Sequence, residues 1–485
     1  MDKTKILILN APSPENAYIN RDQMGGMGQM INFGKSFQTK LLSKLKSNFI
    51  HLPVVQLVYA ATILDEADFD VKVVDALNEH INVEDTLNLV KNFDPKFVIM
   101  SVCSSGLLFE RNVIAKGIKD VCPDSKVITV GDTVAHVMDQ FKPPFDIGIA
   151  GEVERVILDI CKGKDLNEID GIMFFKDGKL IYRMEKAFLQ NEELDKLPFP
   201  NWDLFPYHRY VYYPLLKEAP VATLQSTRGC PYGCGYCSYP VNQGLRWRSR
   251  SAENVFSEIE NNVKKYSFKG IVFRDPLFTL DQRRIDKLCD LILENNIKIV
   301  FAFETRPELL TKPLLDKLYK AGCRGINFGV EDIHPEILKT IKRKPIDKEK
   351  IVEIVTHAEK LGIRTTCFFI IGLPGSTKES IKETLDFSLQ LDLSHADYKI
   401  ATPYPGTYLH QLGKMNNWIR KEGYNKLSGY SATMQISDEL PPEYLEKVCD
   451  EAFKKFYLRP KYFLRELKKG EVSKKSNIVL KSLFH

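Results

Sequence analysis

The stretch Val221-Ala-Thr-Leu-Gln-Ser-Thr-Arg-Gly-Cys230-Pro-Tyr-Gly-Cys234-Gly-Tyr-Cys237 joins a short apolar run to three closely spaced cysteines. The apolar run predicts a β-strand over residues 221–226, so the cysteines follow its carboxyl end in a loop. Three thiolates within eight residues can converge on one metal ion or one cluster. Thiolates favour zinc or an iron–sulfur cluster, and a structural zinc site needs a fourth ligand that is missing at the usual finger spacing. A structural zinc loop is the alternative to an iron–sulfur cluster.

Strand–helix alternation continues after the cysteines. Apolar runs predict strands at 221–226, 270–273, 299–303, 325–330, 365–371 and 396–400, with helices at 252–266, 283–294, 312–321, 348–361 and 378–389. Six βα repeats are too few to close an eight-stranded barrel of ordinary size. Residues 216–415 are therefore predicted as a partial (β/α)6 TIM-like barrel whose mouth lies at the carboxyl ends of its strands. The three cysteines would then lie at that mouth.

The first 165 residues predict a second α/β unit. Apolar runs at 6–9, 71–74, 97–102, 127–130 and 147–150 alternate with helical patterns at 54–67, 83–93, 109–121, 138–141 and 153–161. This alternation indicates a doubly wound parallel sheet of the Rossmann or flavodoxin-like type. Residues 166–215 are predicted as a linker with a β-hairpin around Asp177-Gly178. Residues 416–485 are predicted as a helical carboxyl-terminal region with a basic tail.

Composition and charge restrict the class of protein. The 68 basic and 63 acidic residues give a net charge of +5, which by itself does not indicate nucleic acid. Ten cysteines are too few for a disulfide scaffold, so a reducing, cytoplasmic location is expected. No apolar segment reaches the length of a membrane span. Residues 453–485 hold ten Lys or Arg and two acidic residues, so peripheral membrane contact is one hypothesis; a helix packed on the barrel with a solvated tail is the other.

The cysteine spacing resembles the signature of the radical S-adenosylmethionine (SAM) superfamily, in which Cys-x3-Cys-x2-Cys follows the first barrel strand. An aromatic residue before the third cysteine, here Tyr236, is similar to that motif as well. The resemblance implies that Cys230, Cys234 and Cys237 bind a [4Fe-4S] cluster whose open iron chelates SAM. It also implies reductive cleavage of SAM to a 5′-deoxyadenosyl radical, with a flavodoxin- or ferredoxin-type protein as electron donor.

The resemblance also implies SAM contacts at the carboxyl ends of the barrel strands. These candidate residues are Tyr236, Asp275, Glu304, Arg306, Glu331, Gly372, Pro374 and Pro403. The segment Arg274-Asp275-Pro276 departs from the glycine-rich turn of the family. Arg306 and Glu331 could instead form an ordinary ion pair, and residues 372–375 could be only a strand-to-helix turn.

The first unit resembles the cobalamin-binding domain that precedes the barrel in class B radical SAM enzymes. Candidate cobalamin contacts are Gly25, Gly26, Ser101, Ser104, Gly131, Asp132, Gly151 and Glu152. The sequence has no Asp-x-His-x-x-Gly run to supply a lower axial histidine, and Gly131-Asp132 departs from the paired glycines often present there. Cobalamin is therefore a possible cofactor, whereas the cluster and SAM are the expected ones.

These cofactors imply hydrogen abstraction from an unactivated carbon, followed by cobalamin-dependent C-methylation of a lipid or natural-product-like substrate. The alternatives are cobalamin-independent radical cyclisation, ring contraction or carbon–carbon bond formation, and a regulator that binds SAM or cobalamin without catalysis. No acid or base is assigned, although Tyr404, His395 and His410 lie near the end of the sixth strand. Arg246, Arg248 and Arg250 could form an anion site or pair between domains. No nucleic-acid partner is expected.

Overall fold

The computed structural model describes residues 3–15, 17–22, 29–131, 140–183, 188–420 and 427–468. Two sheets organise this part of the chain. Seven strands between residues 5 and 182 form the first sheet, and six strands between residues 221 and 400 form the second. Helices at the carboxyl-terminal end pack against the second sheet.

The first sheet is doubly wound. Its strands are β1 (Lys5–Asn10), β2 (Asp70–Asp75), β3 (Phe97–Ser101), β4 (Lys126–Val130), β5 (Ile147–Ile149), β6 (Ile172–Lys176) and β7 (Lys179–Tyr182). They pair in the order β7-β6-β5-β4-β3-β1-β2, and β1–β5 are parallel. Ile6, Leu7, Ile8 and Leu9 are fully buried, as expected for a strand covered on both faces. The order β2-β1-β3-β4-β5 is flavodoxin-like, which confirms the predicted fold.

The helices of this unit follow the predicted pattern with one addition. They are α1 (Phe37–Ser47), α2 (Val55–Glu66), the short Ala76–Glu79, α3 (Val83–Phe93) and α4 (Val153–Cys161). The sequence did not predict α1. The helix predicted over 109–121 consists of Leu107–Phe109, a π-helical turn Glu110–Ala115 and Lys116–Val121. Such π-turns often mark functional sites. The pattern at 138–141 falls largely outside the described residues.

The hairpin expected in a separate linker belongs to the first sheet. Strand β6 pairs antiparallel with β5, and β7 pairs antiparallel with β6, so the hairpin forms one edge of the sheet. Asp177 and Gly178 both have positive φ, as the tight turn requires. The proline-rich segment after the hairpin lies between the two sheets. In it, Asn201 N donates to Thr62 Oγ1 of α2, and Trp202 Nε1 donates to Asn262 Oδ1 of the barrel unit.

The second sheet is the predicted partial barrel. Its strands are β8 (Val221–Leu224), β9 (Gly270–Phe273), β10 (Val300–Thr305), β11 (Cys323–Glu331), β12 (Arg364–Ile371) and β13 (His395–Ile400). They are parallel and pair in sequence order. The intervening helices are α5 (Ala252–Tyr266), α6 (Gln282–Glu294), α7 (Lys312–Lys320), α8 (Lys348–Leu361) and α9 (Lys378–Gln390). The barrel prediction is confirmed because each buried run becomes a strand with its carboxyl end at one edge. Shorter helices are Asn191–Leu194, Tyr239–Gln243, Pro335–Thr340 and Tyr408–Met415.

Two carboxyl-terminal helices and the unpredicted α1 cover the barrel together. The helices are α10 (Pro442–Tyr457) and α11 (Pro460–Lys468). Phe453 of α10 stacks on Phe33 with ring centroids 4.1 Å apart. Ser36 Oγ and Thr39 Oγ1 donate to Asp450 Oδ1 at 2.9 and 2.6 Å, so α1 is fixed to α10. Within the described residues, every helix is too short or too polar to cross a bilayer.

Candidate active site

A cavity of about 670 Å³ lies at the carboxyl ends of the barrel strands. All three cysteines of the loop after β8 line it. Glu304 and Arg306 reach it from the end of β10, and Glu331 reaches it from the end of β11. Tyr236 lines it too, so the structure brings the cysteines and four of the predicted SAM contacts to one space.

Glycines hold the cysteine loop close to neighbouring backbone. Gly229 has φ +78°, and a β-carbon there would lie 2.1 Å from Arg246 O. At Gly235 a β-carbon would lie 3.0 Å from Ile341 O, and Gly235 N donates to that oxygen at 2.6 Å. A side chain at Gly229 would displace the loop, because so short a contact with backbone cannot be relieved by a rotamer change, and one at Gly235 would crowd Ile341 O and the ring of Tyr408. The loop geometry is therefore set on both sides of Cys230 and Cys234.

Two arginines lie beside Cys234. Arg306 Nη1 and Arg343 Nη1 are 3.8 and 3.9 Å from Cys234 Sγ. Burial raises the pKa of the Cys230 and Cys237 thiols, and neighbouring thiolates add to the rise, so negative charge here needs cations beside it. Among the described residues, no three Cys, His, Asp or Glu side chains are grouped as ligands of one metal ion. In a four-iron cluster each thiolate binds a different iron, so the loop fits a cluster better than a zinc ion.

Glu331 is the centre of a buried polar group next to the cysteines. Tyr236 Oη donates to Glu331 Oε1 at 2.7 Å, and Arg343 Nη2 lies 3.9 Å from the same oxygen. Burial raises the pKa of the Glu331 carboxyl above its ordinary value. Arg343 and the hydrogen bond from Tyr236 oppose this rise but do not cancel it. Arg343 Nε and Tyr404 Oη are buried and have no hydrogen-bond partner among the described residues. Unsatisfied donors of this kind suit a polar ligand such as SAM.

Glu304 and Arg306 are each held by neighbouring side chains. Asn327 Nδ2 donates to Glu304 Oε1 at 3.4 Å, and Arg274 Nη1 lies 3.8 Å from it. Arg306 pairs with Glu308 at 2.5 Å and packs on the ring of Tyr232 at 4.1 Å. Arg306 and Glu331 therefore do not pair with each other, which was the alternative to SAM contacts. Arg306 pairs with Glu308, and Glu331 lies beside Arg343.

Four predicted SAM contacts lie outside the wall of the cavity. These residues are Asp275, Gly372, Pro374 and Pro403. Asp275 is fully buried and accepts hydrogen bonds from Ser226 N and Oγ at 2.7 and 2.5 Å, so it joins the loops after β8 and β9. Gly372 has φ +76° and faces Leu445 of α10, whereas Pro374 O accepts a hydrogen bond from Thr340 Oγ1. The neighbours of Pro403, Thr402 and Tyr404, do line the cavity.

The candidate cobalamin contacts that the structure describes lie at the carboxyl edge of the first sheet. Gly25, Gly26 and Asp132 lie outside the described residues. Ser101 and Ser104 are buried at the end of β3, and the buried Ser105 Oγ has no hydrogen-bond partner within the part of the chain that the structure describes. Gly131 has φ +121°, and a β-carbon there would lie 2.5 Å from Val102 O. Gly151 lines a cavity of about 50 Å³ between the two units.

Arginines from the barrel pair with acids of the first unit. Arg248 Nη1 and Arg228 Nη1 lie 2.8 and 3.3 Å from Glu152 Oε1, and Arg228 Nη2 lies 2.6 Å from Glu154 Oε1. Of the arginine cluster, Arg248 therefore pairs between domains. Arg250 pairs within the barrel unit, with Glu258 at 2.5 Å. Glu152, predicted as a cobalamin contact, is occupied by these pairs.

Several functional residues had no assigned role from the sequence. A buried ion pair joins Arg21 Nε to Glu110 Oε1 at 2.6 Å, with both side chains 0% exposed, and Cys103 N donates to Glu110 Oε2. Arg274 Nε pairs with Asp22 Oδ2 at 2.6 Å and so links the barrel to the first unit. Arg274 follows β9 directly, and a charged residue at the carboxyl end of a barrel strand is typical of a functional site, so the sequence could have indicated it. Arg343 lies in a loop after a short helix, where the sequence offers no such signal.

Residues 224–388 match the family model of the radical SAM superfamily. The chain carries a radical SAM domain. It is similar to an uncharacterized methyltransferase of Pyrococcus horikoshii, with 29% identity over 86% of this chain and 90% of the relative. It is also similar to an anaerobic magnesium-protoporphyrin IX monomethyl ester cyclase of Rubrivivax gelatinosus, with 26% identity over 77% of this chain and 68% of the relative.

The fold has a solved counterpart. The radical SAM methyltransferase TsrM from Kitasatospora setae, solved with cobalamin and a [4Fe-4S] cluster bound, superimposes with a TM-score of 0.63 at 18% identity over 87% of this chain and 76% of that chain. The likeness spans both the first sheet and the radical SAM domain. The prediction of a radical SAM enzyme with a Rossmann-type unit before the barrel is confirmed.

Proposed function

We propose that this chain is a cobalamin-dependent radical SAM methyltransferase that acts on a carbon of a small molecule. The observation that carries the proposal is the meeting of Cys230, Cys234 and Cys237 in one cavity wall with two guanidinium groups beside Cys234. The relatives named above include a methyltransferase, and the structural counterpart holds the same cofactors. Each cofactor is proposed for this chain on the fit of its residues.

The three cysteines would hold a [4Fe-4S] cluster. With SAM bound, the cluster supplies a 5′-deoxyadenosyl radical that abstracts hydrogen from substrate. Arg306 and Arg343 stabilise negative charge on the cysteine sulfurs, because charge-assisted hydrogen bonds are strong at a buried site. Glu331 accepts hydrogen bonds, which suits a diol such as the ribose of SAM, and Tyr236 orients it. Glu304 and Tyr404 would contact the other polar atoms of SAM.

Cobalamin would lie at the carboxyl edge of the first sheet, where doubly wound folds bind their ligands. When bound, it supplies the methyl group. The buried Ser105 hydroxyl, which has no hydrogen-bond partner in the described ranges, and the backbone approach at Gly131 support a ligand at this edge. Ser101, Ser104, Gly131 and Gly151 are the described residues that would contact it. Because Glu152 is paired with arginines of the barrel, its role is to position the two units.

The second candidate function is radical cyclisation without a methyl transfer. The cyclase relative of Rubrivivax gelatinosus favours it. The same cysteines, arginines and Glu331 would serve both reactions, since both begin with hydrogen abstraction. The two differ in whether a methyl group reaches the product.

The cluster test compares two cysteine variants. Cys234→Ala should abolish the absorbance of the anaerobically reconstituted cluster and the 5′-deoxyadenosine formed on reduction. Cys289→Ala is the matched control, because Cys289 is buried in α6 away from the cavity and should keep both signals. Equal cluster content in the two variants would contradict the proposed ligands.

The cobalamin test measures retention of hydroxocobalamin after gel filtration, with methyl transfer from labelled SAM as the second readout. Retention with label in the product supports methylation. Formation of 5′-deoxyadenosine without cobalamin retention would favour cyclisation.

Two further partners are proposed. A flavodoxin- or ferredoxin-type protein would reduce the cluster, and its presence should be required for turnover without a chemical reductant. Peripheral membrane contact would use exposed apolar residues of α1 and α11, such as Phe37 and Leu464, which are 79% and 58% exposed. Co-sedimentation with anionic liposomes, with and without residues 466–485, measures this contact. Equal recovery with and without liposomes would exclude it.

A further inference from the structure

The cavity that contains the cysteines has a second wall from outside the barrel. Residues 31–51, which we call the amino-terminal cover, contribute Phe33, Leu45 and Phe49 to it. The carboxyl-terminal helices contribute Tyr457 and Tyr462. This wall is apolar and aromatic, whereas the wall at the cysteine loop carries Arg306, Arg343 and Glu331. Cavities of this volume with one apolar wall enclose the hydrocarbon body of a ligand.

An opening to solvent lies between the amino-terminal cover and the carboxyl-terminal helices. Leu41 of α1 and Leu458, between α10 and α11, line the cavity and are also 38% and 57% exposed. Residues that both line a cavity and reach solvent mark its mouth. Because both are leucines, an entering ligand meets an apolar rim.

A buried cluster of charge lies on the same cavity at β13, the opposite edge strand of the sheet from the strand that precedes the cysteine loop. Lys399 Nζ lies 3.4 Å from Asp397 Oδ1 and donates to Tyr430 Oη at 2.6 Å. Lys46 Nζ, from the amino-terminal cover, donates to Asp397 Oδ2 at 2.9 Å. Lys399 and Asp397 are 8% and 4% exposed, and both lysines line the cavity.

The cluster holds two lysines and one carboxylate. Within the described residues, the ion pairs of Lys399 and Lys46 both go to Asp397, so one positive charge is left over when both lysines are protonated. Cys449 also faces the cluster, and burial raises the pKa of its thiol, so it adds no negative charge at neutral pH. The pKa of Lys399 is lowered to about 7. Burial is the main cause and Lys46 adds to it, whereas Asp397 acts in the opposite direction. An anion beside Lys399 would balance the excess charge.

We propose that the substrate is an amphiphile with an apolar body and one anionic group, carboxylate or phosphate, which Lys399 and Lys46 bind. The inference rests on the proposed function, since it places the substrate in the cavity that holds the cysteines. The apolar body lies along the amino-terminal cover and the carboxyl-terminal helices. The anionic group contacts the two lysines, which fixes which carbon of the body faces the cysteine loop.

The test measures binding of three probes to the reconstituted, SAM-loaded protein by anaerobic calorimetry. The probes are decanoate, decyl phosphate and decanol, which share one hydrocarbon chain and differ in the head group. At least one anionic probe should bind about ten-fold or more tightly than decanol, because a buried charge-assisted hydrogen bond is worth that much. The ratio of decanoate to decyl phosphate identifies the kind of anion.

Variants locate the site. Lys399→Met and Lys46→Met should each remove the preference for the anionic probe while decanol binding stays the same, and Lys399→Arg should keep the preference. Lys44→Met is the control, since Lys44 is exposed on α1 and should have no effect. Equal binding of decanol and both anions, or a preference that survives Lys399→Met and Lys46→Met together, would overturn the inference. Cluster content and 5′-deoxyadenosine formation in the same samples report separately on the proposed function.

Discussion

Lys399 shows how a single buried side chain can be held at a cost in stability. Burial among Tyr430, Cys449 and the barrel wall disfavours its charged form more than Asp397 favours it, so its pKa falls from 10.5 to about 7. In the unfolded chain the same lysine is charged up to about pH 10. The folded protein is therefore destabilised by Lys399 below pH 7, and this cost disappears as the pH rises toward 10.5. A bound anion would remove the same cost by favouring the charged form.

The Tm difference between Lys399→Met and the wild-type protein should depend on pH. We expect the variant minus wild-type difference to be most positive near pH 6 and to decrease steadily toward pH 9, because the lysine penalty declines over that range. The measurement is thermal unfolding of both proteins across that pH series without added probes. Lys44→Met should give a difference that does not change with pH. A constant difference for Lys399→Met would show that its pKa is not lowered.

At the residue scale, the sequence predicted what local spacing determines. Cys230, Cys234 and Cys237 are close because they share one short loop, and Tyr236 follows from the same motif. Asp275 was predicted at a strand end, but its side chain turns to Ser226, and strand-end position alone does not give side-chain direction. His395, Asp397 and Lys399 alternate with Ala396, Tyr398 and Ile400 along β13, a period-two pattern that predicts one polar face. Arg343 reaches Cys234 only through tertiary packing, so no local pattern predicts it.

The element that most changes the site is α1. Its sequence has a helical N-cap at Ser36 and a basic last turn, so local preference supports a helix. It belongs to the first unit by sequence, yet it packs on α10 and covers the barrel cavity. Ser36 N, Ser36 Oγ and Thr39 Oγ1 all donate to Asp450 Oδ1. Three bonds to one carboxylate fix the start of α1.

Asp450→Asn should loosen α1 without unfolding the barrel. Loss of the charge weakens three charge-assisted bonds, so we expect a cost of about 2 kcal/mol in the local stability of α1. Hydrogen exchange of residues 37–47 should become faster, while exchange in β10 and β11 stays unchanged. Glu443→Gln, at an exposed position of the same helix α10, should leave both regions unchanged. Unchanged exchange in α1 of the Asp450 variant would show that Phe33 and Phe453 hold the helix by themselves.

Element boundaries followed from the sequence wherever burial is regular. The strands and helices of the barrel begin and end within a few residues of their predicted positions, because apolar runs of this length bury on both faces of a parallel sheet. The hairpin was predicted from Asp177-Gly178, but its addition to the edge of the first sheet was not. Edge pairing depends on which strand is left open, and that is a property of the assembled sheet.

At the scale of the whole molecule, buried ion pairs join the two units. Arg228 links Glu152 and Glu154 to the barrel, and Arg274 links Asp22. The side chains of Arg228 and Glu154 are 5% and 2% exposed. Burial disfavours the charged form of Arg228 and so lowers its pKa. The two glutamates outweigh this effect, and the pKa of Arg228 lies above its ordinary value. Removing one partner of such a set leaves buried charge without compensation.

Arg228→Met should separate the unfolding of the two units. We expect a loss of about 3 to 5 kcal/mol, since Glu154 would lose its nearest cation and Glu152 would keep only Arg248. Scanning calorimetry should change from one transition to two, as the first sheet and the barrel unfold separately. Lys116→Met, which breaks an exposed pair with Asp120 on the first unit, should shift Tm very little. A single transition at the wild-type temperature for Arg228→Met would contradict a role in joining the units.

The contact between Ser36 and Asp450 joins residues that are 414 positions apart. During synthesis, the amino-terminal cover therefore leaves the ribosome long before the helix that holds it. Before α10 is made, the cysteine loop and the barrel strands up to β12 have already been synthesised. The side of the cavity that α10 covers in the finished protein is then open. A chain in which α10 has not yet packed therefore leaves the cavity of the cysteines more open to solvent than the finished protein does.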